Sequence, residues 1–126
     1  MRLFAFVVCV LLAALIVAVP DKTESRLVVF DGSGCRGCTQ LREYVVRPYL
    51  ASKARNQVPM EIVDIASLGT SGHALRAPIR TLPTIVIVQD GREVARMAGY
   101  SGPDRFYDFL ATSLGAKRAG TEFHFD

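Results

Sequence analysis

The sequence predicts an α/β domain in which helices flank a four-stranded mixed β-sheet, with a hydrophobic helix ahead of the domain. Strand-type and helix-type patterns follow one another after residue 25 in the order β, α, β, short α, β, β, α. The segment Thr84–Val88 is almost uninterruptedly apolar, which is typical of a central strand buried on both faces. The connections between the first three strands are long enough to cross over the sheet. We therefore expect one domain, over residues 26–115.

The first twenty residues differ from the rest of the chain. Leu3–Val19 contains no charged or strongly polar residue, and Arg2 is the only basic residue before it. This layout is typical of an export signal or a membrane anchor. As a helix the segment would span about 25 Å, slightly less than a hydrocarbon core of about 30 Å. Residues 1–20 are predicted to be a signal peptide or an N-terminal anchor, and either one places residues 21–126 outside the cytoplasm.

The first strand is predicted at Arg26–Phe30, where β-branched and aromatic residues are followed by the turn formers Asp31–Gly34. Apolar residues then recur at helical spacing and predict a helix from Cys38 to about Arg47. Pro48 lacks an amide hydrogen and disfavours helical backbone in the preceding residue. The helix is therefore expected to kink there and to continue toward Arg55.

A second strand is predicted at Met60–Ile65, and a short helix at Gly69–Ala77. After the central strand, Asp90-Gly91 is a two-residue hairpin signal that leads to an antiparallel partner at Glu93–Met97.

The last predicted helix opens at Gly102-Pro103-Asp104 and ends at Gly115. Its apolar residues fall on one face, as expected for a helix that packs on a core: Phe106, Phe109, Leu110 and Leu114. Residues 116–126 show no periodicity and are predicted to be a flexible tail.

The charge balance argues against a nucleic-acid partner. The formal net charge is only +3. Lys117 and Arg118 are balanced by Glu122 and Asp126, and no basic stripe with interleaved aromatic residues is present. The partners should therefore be sought among other molecules.

Two cysteines lie between a predicted strand and the first turn of a helix. Cys35 and Cys38 are separated by Arg36 and Gly37. Unpaired amide groups and the helix dipole favour an anion at a helix N-terminus, so the pKa of the Cys35 thiol should fall from about 8.5 into a range of roughly 3.5 to 7.5. Cys35 would attack a partner disulfide, and Cys38 would then release the partner. Arg36 either lowers the pKa of this thiol further, as a neighbouring cation, or is simply solvated.

A cysteine pair with this spacing also has uses other than disulfide exchange. Thr39 follows the second cysteine, whereas a haem attachment motif needs histidine there. Zinc would need two further ligands, and the only histidines are His73 and His124. A purely structural disulfide across so short a loop would stabilise the fold little. A Cu(I)-binding metallochaperone stays open as an alternative, because Gly34–Cys38 is similar to the motif of small metallochaperones and soft thiolates suit Cu(I).

The order of these motifs resembles the thioredoxin superfamily over about residues 26–115. The resemblance rests on the cysteine pair after a strand, on Leu82-Pro83-Thr84 leading into an apolar strand, on Gly91–Ala95, and on a closing helix. The export segment, the short core and the stretch Gly99–Asp104 are similar to periplasmic thioredoxin-like proteins of bacterial sulfur-oxidation (Sox) systems.

The resemblance implies a thioredoxin/glutaredoxin-like fold and a periplasmic thiol–disulfide oxidoreductase that needs no metal and no cofactor beyond its Cys35–Cys38 disulfide. It implies that Pro83 follows a cis peptide bond and faces the cysteines, leaving the backbone of Leu82 free to pair with an extended substrate. The implied partners are a cysteine-containing protein substrate, which the chain would reduce, and a membrane thiol protein that donates electrons. A monomer is expected.

Some residues depart from the superfamily pattern. Thioredoxins hold a buried aspartate six residues before the first cysteine, and Val29 occupies that place here. Asp31 is closer to the cysteines but is expected to cap the turn and to be solvated. The pair Arg36-Gly37 matches neither the Gly-Pro of thioredoxins nor the Pro-His of strong oxidants. The two residues between the cysteines therefore do not indicate whether the protein reduces or oxidises its partners.

Overall fold

A computed structural model describes residues 24–115. Its sheet contains β1 (Ser25–Asp31), β2 (Met60–Asp64), β3 (Thr84–Gln89) and β4 (Arg92–Ala98), in the order β2-β1-β3-β4. β1 is parallel to β2, and β3 is antiparallel to both β1 and β4. This mixed sheet, flanked by helices, confirms the predicted fold class. The predicted N-terminal hydrophobic helix and the predicted tail at residues 116–126 lie outside the described residues.

The cysteine-bearing helix begins two residues earlier than predicted and is not uniform. It comprises α1 (Arg36–Leu41), a π-helical segment (Arg42–Val46) and α2 (Arg47–Ala51), and α3 (Ala54–Gln57) follows. The interruption expected at Pro48 takes the form of the π-helical turn just before it, where the N–H of Arg47 donates to the carbonyl of Arg42.

The short helix predicted at Gly69–Ala77 is wrong. The structure instead has α4 earlier, at Ile65–Leu68, directly after β2. Gly69, Ser71 and Gly72 have φ angles of 56°, 53° and 73°. These left-handed conformations cannot continue a right-handed helix, so the chain proceeds through turns.

The main core lies on one face of the sheet. Side chains from β1 and β3 pack there against α1, α2 and α5 (Pro103–Gly115). The rings of Tyr49 and Phe106, both fully buried, meet edge to face with 6.0 Å between centroids. The Tyr49 hydroxyl donates to the carbonyl of Val58 at 2.6 Å, so its burial leaves no polar group unpaired.

A smaller core lies on the opposite face. It is formed by side chains of β1, β2 and β3: Val28, Phe30, Val63, Val86 and Val88. The connecting loop, residues 69–83, packs Leu75, Ile79 and Leu82 against it. The smaller core is therefore completed by side chains of a non-helical loop.

A β-bulge lies in β4. Val88 pairs with Glu93 and Ile87 pairs with Ala95, so Val94 is an extra residue between them. Residues three apart on a regular strand point to opposite faces, and one extra residue reverses that alternation. Glu93 and Arg96 consequently meet on one face, with Arg96 Nε donating to Glu93 Oε1 at 2.6 Å.

Glu93 is expected to make the stability of the domain depend on pH. Burial acts to raise the pKa of its carboxyl, but hydrogen bonds from the Arg96 side chain and the Arg76 N–H, with the charges of both arginines, outweigh it and leave the pKa below its ordinary 4.5. Because the pKa of Glu93 is lower in the folded state, its carboxylate stabilises the fold at pH values above its unfolded-state pKa. This stabilisation is lost as the pH falls through its folded-state pKa.

We therefore expect Glu93→Gln to lower the free energy of unfolding most near neutral pH and progressively less below about pH 4.5. Urea denaturation of both proteins at a series of pH values measures this difference. A difference that stays constant across the series would contradict the expectation.

Candidate active site

The two cysteines lie at the N-terminus of α1 and are joined by a disulfide. Cys35 is the N-cap residue, and its Sγ accepts a hydrogen bond from the N–H of Cys38 at 3.1 Å. Cys35 is partly exposed, whereas Cys38 is completely buried. An incoming sulfur can therefore reach Cys35 but not Cys38. The same N–H is placed to stabilise a thiolate on Cys35 after reduction.

Leu82 and Pro83 approach this cysteine turn from the connecting loop. The peptide bond between them is cis. A Cβ atom placed on Gly37 would lie 3.2 Å from Pro83 Cδ, and one placed on Gly32 only 2.7 Å from Leu82 Cδ1. The N–H of Gly99 donates to the carbonyl of Pro83 at 2.7 Å. The two glycines thus allow the loop to come into contact with the backbone on both sides of Cys35.

A nearly buried carboxylate lies just before the cysteine turn. The Asp31 side chain is 11% exposed, accepts a hydrogen bond from the N–H of Gly32 at 2.8 Å and forms an ion pair with Arg42. Arg42 also donates to Thr39 Oγ1 at 3.3 Å, and the Thr39 hydroxyl donates to the carbonyl of Cys35 at 3.3 Å. This series of contacts connects the end of β1 to the start of α1.

Sequence reasoning found only part of this arrangement. The expected capping by Asp31 is present, but the expected solvation is wrong, because the carboxylate is nearly buried and is paired with Arg42. Arg42 itself was missed. The available signal was its spacing, since it follows Thr39 by three residues and Cys35 by seven and so shares their side of the helix.

The residues between and around the cysteines take different places. Arg36 is exposed and forms no ion pair within residues 24–115, whereas Gly37 lies against Pro83. Val29 is buried in the main core, so the position of the thioredoxin aspartate is apolar here.

The aromatic side chain of Tyr100 adjoins the site. The Cβ of Tyr100 lies 3.8 Å from a Cβ placed on Gly37. Burial and the nearby Tyr44 raise the pKa of Tyr100. Its hydroxyl is buried and has no hydrogen-bond partner in the part of the chain that the structure describes.

The chain matches a known protein family over most of its length. A family model described as a thioredoxin-like domain matches residues 12–113. The chain belongs to this family. Thioredoxin-like proteins carry out exchange between thiols and disulfides through such a cysteine pair, without a separate cofactor, and act on cysteine-containing proteins. This thioredoxin-like chain is accordingly a thiol–disulfide oxidoreductase, and the match favours that chemistry over the copper-handling alternative.

Solved structures agree with the family match. The periplasmic thioredoxin SoxS from Paracoccus pantotrophus, in its reduced form, has a TM-score of 0.67 and 26% sequence identity to this chain, and the match covers 75% of this chain and 100% of that one. The predicted resemblance to the superfamily, and to thioredoxins of Sox systems, is therefore confirmed.

More distant thioredoxins share the fold alone. Thioredoxin NaTrxh from Nicotiana alata has a TM-score of 0.59 at 16% identity, with 74% of this chain and 76% of that chain covered. The thioredoxin of Malassezia sympodialis has a TM-score of 0.57 at 18% identity, with 71% and 77% covered. No curated protein sequence matches this thioredoxin-like chain significantly.

The described residues contain neither a metal-ligand cluster nor a membrane-spanning helix. Within residues 24–115, no three or more His, Cys, Asp or Glu side chains are grouped so that they could hold a metal ion. In the same part of the thioredoxin-like chain, no helix has both the length and the apolar character needed to cross a membrane.

Proposed function

We propose that this protein is an exported reductant that works in the periplasm on disulfides, or on sulfur-modified cysteines, of a partner protein. The observation that carries the proposal is the unequal exposure of the two sulfurs: Cys35 is partly exposed at a helix N-terminus, and Cys38 is buried behind it. The apolar segment Leu3–Val19 and the likeness to a periplasmic thioredoxin support the location.

The reaction begins from the reduced pair. The thiolate of Cys35 attacks one sulfur of the partner disulfide, whose S–S bond breaks and releases its other sulfur as a thiolate. Cys38 then loses its proton and attacks Cys35 Sγ, which forms the Cys35–Cys38 disulfide and releases the second partner sulfur. Two electrons thereby pass to the partner. A membrane thiol protein would return the pair to the reduced state.

Leu82 and Pro83 are the proposed substrate-binding residues. Pro83 packs against Gly37 between the cysteines, and Leu82 packs against Gly32 just before them. A substrate segment lying along Leu82 would place its cysteine beside the partly exposed Cys35. Arg36, exposed next to Cys35, is proposed to adjust the reactivity of that thiolate through its charge.

The pKa of Cys35 in the reduced protein is the first test. We expect it to lie between about 3.5 and 7.5, because the free N–H groups at the start of α1 stabilise the thiolate. Thiolate absorbance followed against pH measures it, with Cys35→Ser as the blank. A titration near 8.5, the value of an unperturbed thiol, would contradict the assignment.

The reducing direction and the location need separate measurements. Equilibration with glutathione should give a reduction potential of roughly −200 to −270 mV, the range of glutaredoxins and thioredoxin, rather than about −120 mV as in a strong oxidant. Expression of the full chain in a bacterium with a periplasm, followed by fractionation, tests export. A predominantly cytoplasmic protein would contradict the proposed location.

A further inference from the structure

We propose that Glu93 and Arg96 are positioning residues. They hold the connecting loop in place and so keep Leu82 and Pro83 next to the cysteine pair. The inference rests on the proposed function, because that function assigns substrate binding to Leu82 and Pro83. It concerns two residues of β4 that touch neither cysteine in any described contact.

The contacts are made with three consecutive backbone groups of the loop. Arg96 Nη2 donates to the carbonyl of Ala77 at 2.7 Å, and Arg96 Nη1 donates to that of Pro78 at 3.1 Å. Glu93 Oε2 accepts the N–H of Arg76 at 2.8 Å. The two side chains are joined to each other by two further hydrogen bonds, of 2.6 and 2.9 Å. The loop backbone is therefore bound by an ion pair that is itself fixed in orientation.

Burial makes this pair more than a surface ion pair. The Glu93 side chain is 1% exposed and that of Arg96 is 24% exposed. A bidentate, charge-assisted pair whose carboxylate is buried has a defined geometry, whereas pairs exposed on both sides contribute little. The bulge at Val94 is what brings both side chains to the loop side of the sheet, where they lie across from Val88 and Val86 of the smaller core.

The loop needs such an attachment because it lies in no helix or strand of the described structure. Its residues contain no helix, and the apolar side chains that it packs on the sheet, Leu75, Ile79 and Leu82, are only partly buried. Backbone contact with β4 continues upstream, where the N–H of Glu93 donates to the carbonyl of Ala74 at 3.2 Å. Only four residues lie between Pro78 and Pro83, so a displacement near Pro78 is expected to reach the cysteine turn.

Arg96→Met is the test variant, because it keeps an unbranched apolar side chain and removes the guanidinium. Arg96→Lys keeps the positive charge but lacks the bidentate guanidinium. Glu93→Gln keeps a side-chain oxygen that can accept the N–H of Arg76. Arg26→Met is the matched control. Arg26 is also a strand arginine paired with carboxylates, at 3.6 Å from Glu24 and 3.8 Å from Glu61, but it lies at the opposite end of β1 from the cysteines.

Two reactions of each reduced variant are compared: reduction of a disulfide-containing peptide, and alkylation of Cys35 by iodoacetamide. For Arg96→Met we expect kcat/KM for the peptide to fall ten- to a hundredfold, chiefly through KM, since misplacement of about 1 Å has effects of this size. The alkylation rate and its pH profile should stay unchanged. Arg96→Lys should recover part of the loss, and Arg26→Met should resemble the wild type.

Amide hydrogen exchange separates this inference from the proposed function. Exchange within residues 75–83 should quicken in Arg96→Met and not in Arg26→Met. Wild-type peptide kinetics in Arg96→Met, an equal fall in both reactions, or unchanged exchange in the loop would each overturn the positioning role. If the wild-type protein reduced no disulfide, the proposed function would be refuted. Faster exchange of the loop in Arg96→Met would in that case still show that Arg96 attaches the loop.

Discussion

Replacing Cys35 with serine is expected to reduce the rate of disulfide exchange by at least about a thousandfold, because the attacking atom is lost and nothing else substitutes for it. Cys35 carries the more accessible of the two bonded sulfurs and is the N-cap of α1. Serine keeps the shape and the capping ability of this position, so the fold should persist. The measurement is the turnover of a peptide disulfide by wild-type and variant protein, with circular dichroism to confirm folding.

Cys38→Ser is the matched variant and should behave differently. Cys38 is completely buried, so its sulfur is reached only by Cys35 in the next step. The variant should still form a mixed disulfide between Cys35 and the substrate, at up to one equivalent, and should then stall. Mass spectrometry of the adduct distinguishes the two variants. If Cys38→Ser formed no adduct while Cys35→Ser did, the roles of the two sulfurs would be reversed.

Phe106→Ala is expected to lower the free energy of unfolding by about 3 to 5 kcal/mol, as is usual when a fully buried phenylalanine is removed from a core. Phe106 lies on α5, is 0% exposed and meets the ring of Tyr49 edge to face at 6.0 Å. Its removal would leave a cavity between α5 and α2. Urea denaturation at neutral pH measures the change.

Phe109→Ala is the control for this prediction. Phe109 lies on the same helix but is only partly buried against the main core. The same change in side-chain size should therefore cost clearly less. Equal losses at the two positions would show that helix propensity, and not the packing of Phe106, determines the effect.

The sequence predicted the strands well because their signal is local. The predicted segment Arg26–Phe30 lies within β1, Thr84–Val88 lies within β3, and Glu93–Met97 lies within β4. Each follows from residue type, alternation and neighbouring turn formers, all readable within a few residues. The error at Gly69–Ala77 has a related origin, since a composition that tolerates helix does not reveal which residues take left-handed backbone.

The contacts that shape the candidate site could not be predicted in this way. Gly37 and Pro83 are far apart in the sequence, and their contact depends on how the loop crosses the sheet. The meeting of Glu93 and Arg96 depends on a bulge whose position is set by pairing with β3. The ion pair between Asp31 and Arg42 depends on how the π-helical segment after α1 is placed relative to the end of β1.

The sequence alone determined the order of the elements, the place of the cysteine pair at a strand-to-helix junction, and the resemblance to thioredoxins. Local propensity and spacing suffice for these. Only the tertiary structure decided which sulfur is exposed, which glycines touch the loop, and how Glu93 and Arg96 attach that loop to β4. These features arise when segments remote in the chain pack together, because burial and hydrogen-bond geometry are properties of the packed surfaces.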